Sequence, residues 1–175
     1  SLESRPSNLE GQGAYTIRDL VKNALRMRPD RIVVGECRAG EAIDMLQAMN
    51  TGHEGSMTTT HANSVRESIK RIETLCLMSG LDLPTRAIRE QIAASIHVVV
   101  QQSRFSDGSR RVTSIAEIRG LDEHGEIVVS EIFTFARAGT GGDGRVHGTH
   151  RRTGYVPSFL GDFIRRGLVD EGGYL

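Results

Sequence analysis

Apolar positions recur at helical spacing through the first hundred residues, and the period then shortens to two. Ile17, Leu20, Val21, Ala24 and Leu25 mark a first helix. Thr16, followed three residues later by Asp19, resembles a capping box with Asp in place of Glu, and Pro29 ends the helix because its ring disfavours helical geometry at Arg28. Ile32-Val33-Val34-Gly35 is a short continuous apolar run, the pattern of a strand buried on both faces. Ala42, Met45, Leu46 and Met49 predict a second helix over Glu41–Met49, with Gly52 beyond its end. A short β-prone stretch, Ser56–Thr60, leads to His61. Ser64 and Glu67 form a capping box for a third helix carrying Ile69, Ile72, Leu75 and Cys76 and closed by Gly80, and Pro84 suits the first turn of a fourth that runs to Ile96. Strands follow at Val98–Gln102, Arg111–Ile118 and Glu126–Phe135, joined by turns at 106–108 and 122–125. Gly139–Gly148 reads as a glycine-rich linker, and Ser158–Gly167, after Pro157, as a last helix. Helices alternating with buried strands, then an antiparallel meander, predict an α/β core with an appended or edge β-meander.

Composition narrows the function. At 175 residues the chain is about one domain with one sizeable core. A formal net charge of zero argues against a general nucleic-acid or anionic-membrane binder, which would need a basic excess. Of 22 cationic residues only Lys22 and Lys70 are lysines; arginine suits bidentate contact with phosphate or carboxylate. Cys37 and Cys76 form no C-x-x-C pair and fit a reducing cytoplasm. No apolar run approaches the ~20 residues of a membrane span. Ser1–Gly13 is polar and lacks an initiator Met, so the chain is expected to begin in mid-domain.

Two stretches carry candidate chemistry. The strand ending in Glu36 puts a carboxylate at the C-terminal edge of the sheet, where open α/β sheets bind ligands. In nucleotide-hydrolysing folds such an acid holds Mg²⁺ through water or orients the attacking water; an ordinary acid ending a strand fits the same pattern, and this segment leaves both open. In Thr51–Ser64, His53 and His61 flank one short strand, and strand alternation puts them on the same side. The helix beginning at Ser64 offers backbone N–H groups beside His61, so the segment can sense a phosphate. Alternatively, one of these histidines caps a helix or satisfies a buried carbonyl. His53-Glu54 starts like H-E-x-x-H, but Met57 removes the second ligand, and the cysteines follow no zinc spacing, so a metal-dependent hydrolase built on Glu36, His53 and His61 is remote. Arg66, Arg71, Arg86 and Arg89 read as solvated helix faces. No G-x-x-x-x-G-K-[ST] occurs.

Together these segments resemble the type II/IV secretion ATPase superfamily, and most closely its CpaF branch from tight-adherence and Flp-type pilus systems. The resemblance is carried by Arg5-Pro6 with Asn8–Gly11, by Arg18–Arg38, by Glu41–His53 and by Thr59–Ser64. Downstream it continues in Gly80–Pro84, Arg86–Ile92, Gln101–Arg104 and Asp107–Thr113. It implies a partial RecA-like P-loop NTPase core, with the Walker A part missing, followed by the β-meander and a C-terminal helix. The implied organisation is motor-domain sequence over 1–136, a linker over 137–156 and a helical tail over 157–175. Glu36 would be the Walker B acid, reaching Mg²⁺ through water, with Arg38 its companion. His53 and His61 would be the histidine box near the γ-phosphate, and Arg5, Arg26 and Arg28 would reach ATP in the same or a neighbouring subunit. The resemblance also implies a homo-hexamer on the cytoplasmic face of the inner membrane, working on platform proteins of a pilus or secretion machine. Because Walker A and the acidic Asp box are missing, this polypeptide alone is expected to bind ATP weakly and hydrolyse it negligibly. The competing reading is a non-catalytic truncated subunit that assembles with intact ones. Apolar sheet faces left without their neighbours are expected to cause poor solubility or association.

Overall fold

The computed structural model describes residues 1–170 and residue 172. They divide into two compact units, Ser1–His97 with Gly120–Ile127, and Val98–Arg119 with Val128–Leu175.

The first unit contains α1 (Ile17–Arg26), β1 (Val33–Val34), α2 (Glu41–Met49), β2 (Met57–Thr58), α3 (Val65–Leu77) and α4 (Thr85–Ser95). The capping box at α1 is complete: Thr16 Oγ1 accepts from the Asp19 N–H, and the Asp19 carboxylate accepts from the Thr16 N–H. At its other end Arg28 adopts φ 50°, the left-handed position that leads the chain out of a helix and into Pro29. Ser64 caps α3 through the Glu67 N–H, while the Glu67 carboxylate reaches Asn63 N rather than Ser64 N, so that box is displaced by one residue.

α2 is the centre of this unit and packs on α1, α3 and α4. Ala42, Ile43, Met45, Leu46 and Ala48 are essentially fully buried, and so are its two acids, Glu41 and Asp44. Arg18 on α1 answers Asp44 at 2.6 Å. Gly40, ahead of α2, lies against α3's end so closely that a Cβ there would come within 2.5 Å of Ser79 Cα.

Two expectations change here. β1 and β2 pair in parallel, Val33 opposite Met57 and Val34 opposite Thr58, but the strand is buried on one face only. Ile32 and Val34 point into the core, whereas Val33 is 66% exposed, because among the described residues the apolar cover lies on one side. Arg89 is not a solvated side chain: it pairs with Glu73 at 3.3 Å and with Glu126 at 2.6 Å, tying α4 to α3 and to the turn before β5 (Ile127–Thr140).

The second unit is a four-stranded sheet in the order β3 (Val98–Arg104), β4 (Arg110–Leu121), β5, β6 (Val146–Arg152), antiparallel at β3/β4 and β5/β6. The glycine-rich linker expected over Gly139–Gly148, within 137–156, is instead a hairpin. Gly141 N–H donates to Arg145 O and Gly144 N–H to Gly141 O, Val146 is fully buried, and β6 runs back along β5. Gly148 is there for contact, not flexibility: a Cβ would meet Phe135 Cζ at 2.5 Å. The last helix, α5, is shorter than expected at Leu160–Arg165. Residues 171 and 173–175 of the expected tail lie outside the described residues.

Candidate functional site

The pairing of β1 with β2 continues past both strands. Ile32 N–H donates to Ser56 Oγ, Met57 N–H to Ile32 O, Cys37 N–H to Thr59 O, and Thr59 Oγ1 to Gly35 O. Two loops therefore leave the carboxyl ends of parallel strands side by side, which is where open α/β sheets place ligands.

At this edge Glu36, Arg38 and His61 meet. Arg38 Nη2 donates to Glu36 Oε2 at 2.6 Å, and His61 Nε2 lies 3.2 Å from Glu36 Oε1. The Glu36 side chain is only 19% exposed, while those of Arg38 and His61 are 72% and 83% exposed. The Arg38 hydrogen bond holds the Glu36 carboxyl below the usual glutamate range, outweighing partial desolvation, with the charges of Arg38, His61 and Arg71 adding to it. The same bond raises Arg38. An anionic carboxylate thus sits beside two outward-facing groups able to bind an anion.

Sequence reasoning missed Glu41. Its Oε1 accepts from Arg38 N–H at 2.6 Å and from Ala39 N–H at 3.0 Å. The available signal was an acid in the first turn of α2, directly after Gly40.

His53 is not brought to Glu36. It lies in the turn after α2, with Nδ1 3.1 Å from Ala48 O, while Ser56 Oγ donates to His53 O. Strand alternation does not reach it, because β2 spans only Met57–Thr58. Arg5 donates from Nε to Gly13 O at 2.8 Å and stacks over Tyr15. Arg26 and Arg28 are exposed at the end of α1. Among the described residues none of these three arginines contacts Glu36, Arg38 or His61.

The cysteines supply no nucleophile. Both are buried and unbridged; burial pushes the Cys37 thiol up and the Cys76 thiol to about 12. Among the described residues no three His, Cys, Asp or Glu side chains cluster as metal ligands. Both Glu36 oxygens already have partners, so this edge offers no direct cation cage. A lone carboxylate suits water-bridged contact with a hard cation such as Mg²⁺, which keeps several of its waters.

The family model described as Type II/IV secretion system protein matches residues 3–136. The chain belongs to this family. A Mycobacterium tuberculosis protein named for conjugal transfer, Rv3659c, is 48% identical over 118 residues, covering 67% of this chain and 33% of that protein. The type IV secretion system protein VirB11 of Bartonella quintana is 37% identical over 110 residues, covering 61% and 31%. The chain thus spans about a third of the length of these curated relatives. Among solved structures, the VirB11 ATPase from the Brucella suis type IV secretion system, in complex with sulphate, matches with a TM-score of 0.56 and 32% identity, over 59% of this chain and 32% of that one. The mixed α/β architecture with its antiparallel sheet is that of a partial P-loop ATPase domain. No described helix is long and apolar enough to cross a membrane.

Proposed function

We propose that this chain is the Walker B and histidine-box portion of an ATP-hydrolysing motor, in which Glu36 aligns the attacking water. One observation carries the reading: Glu36, Arg38 and His61 converge at the carboxyl ends of two parallel strands. In phosphoryl transfer the protein contributes mainly positioning and charge stabilisation. A carboxylate held ionised is suited to orient water. Arg38 and His61 have one partner in common, Glu36, and can exchange it for the γ-phosphate oxygens of bound ATP. That exchange releases Glu36 toward water only when the γ-phosphate is present, and hydrolysis reverses it. Magnesium bound with the nucleotide would neutralise phosphate charge, with Glu36 the residue that contacts it through water. His53 belongs to this reading as an anchor, fixing the turn before β2 to the end of α2. Arg5, Arg26 and Arg28 are assigned to the nucleotide, in this subunit or its neighbour.

The finer placement rests on the resemblance of Arg18–Arg38, Glu41–His53 and Thr59–Ser64 to the CpaF branch. We assign residues 1–136 to the motor domain of a homo-hexamer at the cytoplasmic face of the inner membrane. Its partners would be platform proteins of a pilus or secretion machine.

The test uses the longer protein, where the open reading frame extends beyond these 175 residues. Glu36→Gln is expected to abolish ATP turnover while retaining nucleotide binding, and His61→Ala to lower kcat more than it raises KM. Near-normal turnover by Glu36→Gln would overturn the assignment. The 175-residue chain alone is expected to show negligible turnover; if the longer protein is also inactive, the non-catalytic subunit is the better reading.

A further inference from the structure

We infer that Glu41 is a positioning residue that sets Arg38 against Glu36, by binding the backbone N–H groups of Arg38 and Ala39 with one carboxylate oxygen. The role is defined by the reading of Glu36 proposed above, but the geometry stands without it.

The segment between β1 and α2 has to make a sharp exit. Cys37 is anchored inward, its N–H on Thr59 O and its Sγ 3.3 Å from Met45 Sδ. Gly40 is pinned against Ser79. Between these anchors, Arg38 and Ala39 are exposed, and their N–H groups are the ones Glu41 takes. Glu41 is itself buried, at 7% exposure. A buried carboxylate is retained only where hydrogen bonds compensate its lost hydration, and charge-assisted bonds are about twice as strong as neutral ones. Glu41 therefore fixes the Arg38 backbone, and a fixed backbone is what lets a long, otherwise solvent-exposed side chain keep a 2.6 Å contact with Glu36. Side-chain entropy ordinarily cancels most of the worth of such exposed pairs. Asp44, one turn further along the same helix, instead takes the Arg18 side chain, so of the two buried acids on α2 one holds a backbone segment and the other a guanidinium.

NMR on the 175-residue chain tests this without ATP. In the unaltered protein the Arg38 and Ala39 amides are expected to exchange with solvent about 10- to 100-fold more slowly than unprotected amides, from the strength of hydrogen bonds to a charged group. The Arg38 guanidinium protons are expected to be visible as an ion-paired set. Glu41→Ala should remove the amide protection and move the guanidinium signals to the positions seen in Glu36→Gln. Glu41→Gln, which keeps an acceptor oxygen, should preserve both. Two results would overturn the inference: fast exchange of both amides in the unaltered chain, or guanidinium signals untouched by Glu41→Ala. The first needs no variant, so a Glu41→Ala chain that fails to fold leaves the inference open to refutation. An inactive longer protein with these NMR results would remove the hydrolase reading and leave Glu41's role in place.

Discussion

A carboxylate at 4% exposure needs partners, and Glu117 on β4 finds several. Its Oε2 accepts from Tyr155 Oη and Ser158 N–H, both at 2.9 Å, and its Oε1 accepts from Ser158 Oγ. Burial pushes its carboxyl up, but the Ser158 and Tyr155 bonds outweigh this and hold it below the usual range. Arg119 stacks over Tyr155, so the segment before α5 is fastened to β4 by one acid and one ring. Replacing Glu117 with Ala removes three hydrogen bonds to a buried carboxylate, donated by the half-buried Tyr155 and the exposed Ser158, and bonds to a charged group are worth about 1.5–3 kcal/mol. Glu117→Ala should lower the stability of the second unit by that amount in chemical unfolding and expose residues 153–170 to protease. Unchanged cleavage would show that the segment is held by other contacts. None of these partners was legible in the sequence, since Glu117 and Ser158 are 41 residues apart and only the sheet brings them together. The placement of Glu36 was legible because a strand end is a local signal. The placement of His61 at the exit of β2 was legible too, while setting His53 on the same side by strand alternation was over-read, because its turn lies outside the short β2.

At the scale of elements, helices announced themselves and the last strand did not. The α1 cap is written in two residues three apart, and the structure realises both bonds. Thr16→Ala should therefore cost about 1 kcal/mol, measured as a shift in denaturant midpoint. β6 was hidden because its hairpin uses glycine for structure, Gly144 for a left-handed turn and Gly148 for close approach to Phe135, and glycine in sequence reads first as flexibility. Its position also depends on a long-range bond no local pattern shows: Asp107, in the β3–β4 turn, accepts from Val146 N–H at 2.8 Å. The Ser109 hydroxyl and the Val146 and Ser109 amides together lower the Asp107 carboxyl from 3.8 to about 2. A group with a depressed folded-state pKa stabilises above its unfolded value and loses that contribution as pH falls through the folded one. Asp107→Asn should thus be less stable than the unaltered chain at pH 5. The gap should narrow as pH drops from about 4 to about 2. Thermal melts followed by far-UV circular dichroism at both ends of that range measure it, and a gap independent of pH would mean Asp107 acts by shape alone.

For the molecule as a whole, the decisive feature is the uncovered face of the β1/β2 pair. Val33 and Met57 are register partners, 66% and 58% exposed, and they sit beside strand edges with no further strand among the described residues. Fully burying such a side chain from complete exposure contributes roughly 1.5–3 kcal/mol, so these two, already partly buried, together offer about 2–4 kcal/mol. That reaches the roughly 4 kcal/mol of a millimolar complex only at its upper end, before the cost of association is subtracted. Two side chains also cannot supply the ~1,200 Å² total that a specific interface needs. The chain should therefore self-associate weakly, with the open edges adding non-specific strand pairing rather than a defined stoichiometry. Sedimentation velocity over a concentration series should show a rising mean mass without a discrete dimer. Val33→Thr with Met57→Thr should suppress it, since both keep the strand preference and remove apolar surface. The longer protein should suppress it as well, if the sequence encoded upstream supplies the missing layer. A chain that stays monomeric at every concentration would mean the exposed pair is too small to matter. Loss of association in the longer protein alone, with the double variant still associating, would assign it to the open edges instead of the apolar face.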